Sequence, residues 1–187
     1  MKKGEYGNIK ARKKREYIHT LVLFLLSFMV LALGIFISGS RKNYLTIVAV
    51  LGFLPSAKFL VSSVMFTKAE KYSCSAGLRD KVTEVQAVKD TELLYDLYIT
   101  SYEISYPVSV LFIRKDGVTA LLNDEKCDVK KAEEHTDKFF RAQGIKGCSS
   151  RFMKEEDKFL KALANATPEP DEERRTAIKQ LMLDISL

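Results

Sequence analysis

The sequence predicts an α+β protein in which a two-helix transmembrane hairpin precedes a small cytoplasmic domain. Residues 20–66 carry only three charged side chains, whereas residues 67–187 mix charged residues with short apolar runs. Those runs predict the element order α-β-β-β-α-β-α-α in the second part of the chain. The chain therefore divides into a basic cytoplasmic N-terminus (1–19), the hairpin (20–66) and the α+β domain (67–187).

The first predicted span is Thr20–Ser38, which has no charged residue in 19 positions. As a helix it covers about 28 Å, close to the thickness of a bilayer's hydrocarbon core. Seven Lys and Arg residues precede it, and only Arg41 and Lys42 follow it before the next apolar run. The positive-inside rule then places the N-terminus in the cytoplasm. A cleavable signal peptide is the alternative, but the uncharged core 21–37 is longer than the usual apolar region of such peptides.

The second predicted span, Tyr44–Phe66, is long enough to cross back, at about 34 Å. Pro55 can kink this helix, which membrane helices tolerate. Lys58 is an intramembrane charge whose long stem we expect to snorkel towards the interface, and the alternative is a functional charge on a pathway or partner contact. Small residues at helical spacing predict a helix-packing face. They are Ala49, Gly52, Ser56 and Ser63.

Basic side chains just before the first span are predicted to contact lipid headgroups, because each cation near an anionic surface gains about 1 kcal/mol. They are Lys10, Arg12, Lys13, Lys14 and Arg15. A role in setting topology alone explains the same residues. After two crossings the domain lies in the cytoplasm, and we expect membrane lipids as partners at a plasma (inner) membrane of bacterial type.

The sequence of the first half of the domain predicts one helix, from a weak helical pattern, followed by three strands. The helix covers 76–90, and the strands are rich in β-branched and aromatic residues. A tight turn at Asp116-Gly117 joins the second and third strands into a hairpin. The predicted strands are 93–101, 106–114 and 118–123.

The second half predicts three helices and one strand. One helix starts near Asp128 and stops at Gly144, and a short strand follows at 148–153. A helix over "KEEDKFLKALANA" comes next, and a proline-containing linker separates it from the C-terminal helix 171–187. The apolar stripe of that last helix predicts core packing. Its members are Ile178, Leu181, Met182 and Ile185.

Charge and motifs narrow the function classes. Residues 1–66 carry ten basic against two acidic residues and so account for the net charge of +6, whereas residues 67–187 carry twenty basic against twenty-two acidic residues. Such a domain lacks the positive surface of a nucleic-acid binder. Three cysteines at no motif spacing fit a reducing compartment, and we expect no metal or cofactor. A zinc site would have to combine Cys127, His135 and Cys148 with an unknown ligand.

The element order of residues 76–152 resembles the core of the restriction-endonuclease-like nucleases. That resemblance implies an acidic residue and an E-x-K motif on adjacent strands, which together hold Mg²⁺. The strand 118–123 contains neither Glu nor Lys, and Asp96 has no suitably spaced partner. Glu156 and Lys158 have E-x-K spacing but fall on a predicted helix. The resemblance therefore implies a degenerate, inactive relative.

The sequence predicts a non-catalytic binding, regulatory or scaffold role for the domain, with a protein partner. This expectation follows from a strong hairpin beside a domain without converging catalytic groups. Two alternatives stay open. One is a membrane-tethered metal-dependent hydrolase that uses Asp124, Glu125 and Asp128. The other is a small pore or partner-sensing hairpin centred on Lys58.

Overall fold

A computed structural model describes residues 2–40, 43–89, 91–101 and 104–187, with the side chains of 87–89 excluded. It confirms a mixed α+β architecture, with six helices and a four-stranded sheet in the described part of the chain. The chain forms two compact units. One comprises Ile9–Glu70, and the other combines Met1–Asn8 with Lys71–Leu187.

The unit Ile9–Glu70 consists almost entirely of two long helices. Helix α1 spans Asn8–Ser38 and helix α2 spans Tyr44–Glu70. Both extend beyond the apolar runs of the sequence, because the Lys, Arg, Ala and Glu residues that flank those runs are good helix formers. The basic N-terminus 1–19 is therefore helical from Asn8 onward. Arg41 and Lys42, the two basic residues that follow the first predicted span, lie outside the described residues.

The sheet of the other unit has the strand order β1-β2-β3-β4. Its first three strands are antiparallel neighbours joined by short connections, and β4 runs parallel to β3. A parallel neighbour needs a crossover, which α4 supplies. The strands are β1 Leu93–Thr100, β2 Ser105–Arg114, β3 Gly117–Leu122 and β4 Ser149–Met153.

Two helices cover each face of the sheet and create two apolar layers. On one face, Val82 and Phe159 pack with Phe112 of β2. On the other, Phe140 and Met182 pack with the opposite side chains of the strands. β2 and β3 are buried on both faces. The first face is formed by α3 Ala76–Lys89 and α5 Glu156–Ala164, and the second by α4 Val129–Ala142 and α6 Glu172–Asp184.

Local capping explains where α4 and α6 begin. The Asp128 carboxylate accepts hydrogen bonds from the backbone N–H groups of Lys130 and Lys131, and Asp171 caps α6 in the same way. Each cap satisfies N–H groups that the helix itself leaves unpaired.

The predicted helix 76–90 corresponds to α3, and its last residue, position 90, lies outside the described residues.

The C-terminal helix is shorter than the predicted 171–187, and this boundary is corrected. Helix α6 ends at Asp184, and the last three residues pair with the edge strand β1. Thr100 N–H donates to the Ile185 carbonyl, and Leu187 N–H donates to the Tyr98 carbonyl at 2.8 Å. An edge strand offers unpaired backbone groups, and these hydrogen bonds satisfy part of them.

The packing of α6 yields a stability prediction. Ile178 and Met182 are fully buried in the layer beside α4. Ile178→Ala should lower the free energy of unfolding by about 2–5 kcal/mol, because it removes buried methyl groups and leaves a cavity. The control is Thr176→Ala on the exposed face of the same helix, which should change it by less than about 0.5 kcal/mol. Urea denaturation in micelles measures both, and equal midpoints would contradict core packing.

Candidate functional site

The two long helices pack side by side and run antiparallel. The His19 ring lies 5.3 Å from that of Phe59, and the Phe24 ring lies 5.3 Å from that of Phe53. At one end, Lys13 Nζ forms an ion pair with Glu70 at 2.7 Å. In these contacts a higher residue number on α1 goes with a lower one on α2, as the antiparallel arrangement of two helices requires.

Small residues allow the two helices to approach closely. A Cβ atom on Gly52 would lie 2.6 Å from Ser27 Oγ, so a larger residue at this position would require the Ser27 side chain to move. Ala49, Ser56 and Ser63 are also buried on α2. Ser56 and Ser63 donate their hydroxyl hydrogens to carbonyls of the same helix, which leaves no unpaired donor on an apolar surface.

Asn43 ties the two helices together at their connection. Its Oδ1 accepts a hydrogen bond from Thr46 N–H at 2.8 Å and so caps the start of α2. Its Nδ2 donates to the Gly34 carbonyl of α1, also at 2.8 Å. One side chain therefore fixes the beginning of the second helix to the end of the first.

The outer surfaces of both helices are apolar and exposed. Only 11% of the most apolar stretch of α1 and 17% of that of α2 are buried. A core helix of a soluble protein would instead be mostly buried. By length and composition, both helices could cross a membrane.

Lys58 lies on the exposed side of α2, away from the buried small residues. Its neighbour Phe59 contacts His19, which directly precedes the uncharged run of α1. Lys58 is therefore level with the polar end of that run.

The five basic residues predicted to contact headgroups occupy the first turns of α1. Lys10, Lys14 and Arg15 are exposed, whereas Lys13 pairs with Glu70. The Arg12 guanidinium lies 5.9 Å from the centre of the Phe66 ring. At about 100° per residue, the five cations are distributed around the whole helix and not along one side.

A buried carboxylate connects the segments that flank this helix pair. Asp96 is 3% exposed, and its two oxygens accept different hydrogen bonds. Gly7 N–H, just before α1, donates to Oδ2 at 2.6 Å. Cys74 N–H, just after α2, donates to Oδ1 at 2.7 Å. One side chain thus ties the segment just before Ile9 to the segment just after Glu70, within the α+β unit.

Asp96 occupies an unusual position in the sheet. Its φ of 52° lies in the left-handed region, which Asp tolerates better than most residues. The pairing of β1 with β2 passes from Tyr95↔Val110 directly to Leu97↔Val108. The irregular backbone turns the carboxylate towards the two N–H groups and away from an ordinary strand orientation.

Further hydrogen bonds fix the same two segments. Tyr95 N–H of β1 donates to the Gly4 carbonyl at 2.8 Å. After α2, the Tyr72 carbonyl accepts from Ser109 Oγ and from Asn123 Nδ2, each at 3.2 Å. Ser109 lies where the pairing of β2 with β3 shifts register, and this irregularity directs its buried hydroxyl towards the Tyr72 carbonyl.

The cysteines and acidic residues considered for chemistry have structural contacts instead. Burial, followed by the Asp96 charge, raises the pKa of the Cys74 thiol to about 12, so it stays protonated at neutral pH. Burial also raises the pKa of Cys127. Asp124 and Asp128 accept hydrogen bonds from nearby backbone N–H groups.

The zinc ligands considered for this chain have separate neighbours. His135 Nε2 contacts the Thr100 carbonyl, and the Cys148 sulfur accepts from Arg174. In the part of the chain that the structure describes, no group of three or more His, Cys, Asp or Glu residues is arranged to hold a metal ion.

Comparison with models of protein families, with curated proteins and with solved structures finds no match to this chain. The resemblance to restriction-endonuclease-like nucleases stays a prediction from the element order of residues 76–152. Glu156 and Lys158 lie at and inside the start of α5, away from the strands that would carry the E-x-K motif.

The Asp96 contacts predict a large loss of stability on mutation. Asp96→Ala leaves two backbone N–H groups without their charged acceptor and should cost about 3–6 kcal/mol, at about 1.5–3 kcal/mol for each bond. Asp96→Asn keeps one acceptor oxygen and tolerates positive φ, so it should lose about half as much.

The control is Asp80→Ala on the exposed side of α3, where we expect a change below about 0.5 kcal/mol. Urea denaturation of the full chain in micelles compares the three variants with the parent chain. If Asp96→Ala is as stable as Asp80→Ala, the bridging role of Asp96 is wrong.

Proposed function

We propose that this chain is a membrane-anchored binding protein whose helix pair crosses the bilayer twice and holds the α+β domain at the cytoplasmic face. The observation that carries the proposal is the shared hydrogen bonding of Gly7 and Cys74 to Asp96. Because one carboxylate binds both flanking segments, the two ends of Ile9–Glu70 must be on the same side of any membrane. A pair of spanning helices meets that requirement.

The same contacts argue against the alternative of a cleaved signal peptide. Cleavage after α1 would remove Gly4, which accepts from Tyr95, and Gly7, which donates to Asp96. It would also remove Lys3, whose Nζ donates to the Ser186 carbonyl at 2.6 Å. A retained N-terminus keeps these partners of the domain in place.

The proposed interface on the cytoplasmic side lies near His19. The uncharged run of α1 begins at Thr20, and the contact of His19 with Phe59 puts Lys58 at the same level. The Lys58 ammonium then needs only a short reach to headgroups, which favours snorkelling over an intramembrane charge. The cations lie on all sides of the first turns of α1, so they can all contact headgroups if the helix axis is perpendicular to the membrane plane.

The proposed orientation in the membrane follows from the distribution of basic residues. Seven Lys and Arg residues precede the first apolar run, and they favour a cytoplasmic N-terminus. The domain shares that side through Asp96. We place the protein in a plasma (inner) membrane of bacterial type, with lipids and a protein partner as its contacts. The hydrolase hypothesis, on Asp124, Glu125 and Asp128, and the pore hypothesis, centred on Lys58, stay predictions.

A reporter experiment tests the topology. A reporter that is active only in the cytoplasm should work after Leu187 and fail when inserted between Gly39 and Ser40. A reporter that is active only outside the cytoplasm should give the reverse pattern at both positions. Cytoplasmic activity at both positions would contradict a double crossing. Mass spectrometry of the purified chain is the matched control, and it should find residues 2–8 retained.

A further inference from the structure

A basic cleft opens at the end of the sheet farthest from the hydrogen bonds that hold the flanking segments. It has a volume of about 300 Å³ and lies between the β2–β3 turn, β4 and the end of α5. Arg114, at its wall, is five residues along β2 from Ser109, or about 17 Å. The cleft is therefore separate from the Asp96 contacts.

Strand register explains how the cleft forms. Phe112, Thr119 and Arg151 are direct neighbours across β2, β3 and β4. The next row along the strands contains Arg114, Gly117 and Ser149. Since side chains alternate along a strand, both rows point to the face that α5 covers.

Gly117 shapes the row nearest the opening. Its φ is +128°, and a Cβ atom there would overlap the Ser149 backbone. Without a side chain at Gly117, Arg114 Nη2 donates to Ser149 Oγ at 3.1 Å. This contact positions the guanidinium at the cleft wall.

Three cations line this cleft without a matching set of carboxylates. They are Arg114, Lys115 and Arg151, with Asp116 as the acidic residue in the lining. Among the described residues, no carboxylate oxygen lies within 4.0 Å of a nitrogen of these three side chains. Arg114 Nε is buried and has no hydrogen-bond partner in the described part of the chain.

Electrostatics agree with this arrangement. Burial, followed by the nearby charge of Arg151, lowers the pKa of Arg114, although an arginine still stays protonated at neutral pH. The carboxyl end of α5 contributes about half a negative charge, which does not balance the formal excess of two positive charges. The cleft therefore has an unneutralised positive potential.

We infer that this cleft binds the phosphate group of a small molecule, held between the guanidinium groups of Arg114 and Arg151. Guanidinium groups match phosphate oxygens with paired N–H donors, and Lys115 adds a further charge. Thr119, Asn165 and Thr167 supply neutral polar groups around the same space. The cleft volume is at the lower end of the range for small-molecule sites.

The remainder of the ligand would contact an apolar wall formed by Phe112, Ala162 and Ala166. A nucleic-acid backbone fits less well, because residues 67–187 carry twenty basic against twenty-two acidic residues. The inference names a ligand class for the proposed binding role and rests on that role. It does not depend on membrane crossing.

Calorimetry with inorganic pyrophosphate tests the cleft, using the full chain in maltoside micelles and phosphate-free buffer. We expect saturable binding of one pyrophosphate per chain. Arg151→Gln, at an exposed position, should weaken binding at least tenfold without loss of folding. Arg114→Gln should do the same. Arg141→Gln, exposed on α4, is the matched control and should bind as the parent chain does.

A second experiment distinguishes a water-soluble phosphate compound from a phospholipid headgroup as the ligand. Phosphatidylglycerol added to the micelles should leave pyrophosphate binding unchanged if the ligand is water-soluble. Competition by phosphatidylglycerol, with none from phosphatidylcholine, would instead identify a lipid headgroup at the same cleft. Absence of saturable binding, or equal binding by Arg151→Gln and the parent chain, would overturn the inference. The reporter topology is measured independently, so either result leaves the membrane proposal intact.

Discussion

The hydrogen bonds of Asp96 are the constraint on which the arrangement of this chain depends. A buried carboxylate is costly unless its oxygens are paired, and here each oxygen has a short bond to a backbone N–H. The two donors come from segments separated by the whole of Ile9–Glu70. Folding of the α+β unit therefore brings both segments to the same buried charge.

The edge strand β1, which contains Asp96, is covered by both terminal segments of the chain. β1 is an edge strand, and its backbone bonds to the Gly4 carbonyl near one end and to residues 185–187 near the other. Both chain termini thereby cover an edge that would otherwise be open to pairing with other chains. The irregular pairing at Asp96 and Ser109 directs two polar side chains to the flanking segments. The more regular, carboxyl-terminal end of β2 forms the basic cleft.

Much of the fold is predictable because its signals are local. Asp116-Gly117 marks the turn between β2 and β3, Asp128 marks the start of α4, and the stripe containing Ile178 marks the buried face of α6. Each signal needs only a few neighbouring residues. The antiparallel helix pair is also anticipated by two apolar runs with a short connection.

The sites are less predictable because they depend on distant residues. Asp96 is 89 positions from Gly7 and 22 from Cys74, and no spacing rule links these three. The strand position of Asp96 suggests an ordinary side chain unless its positive φ is known. The cleft requires the register of three strands, which brings Arg114 and Arg151 together. The pairing of residues 185–187 with β1 likewise depends on which strand is at the edge.

Amide hydrogen exchange of the full chain in micelles, followed by NMR, tests the role of Asp96 most directly. The amide protons of Gly7 and Cys74 should exchange slowly and at similar rates, because one buried carboxylate accepts from both. In Asp96→Asn, at least one of the two should exchange faster while amides in β2 and β3 stay protected. If Gly7 exchanges as fast as an exposed loop amide in the parent chain, Asp96 does not hold the two segments together.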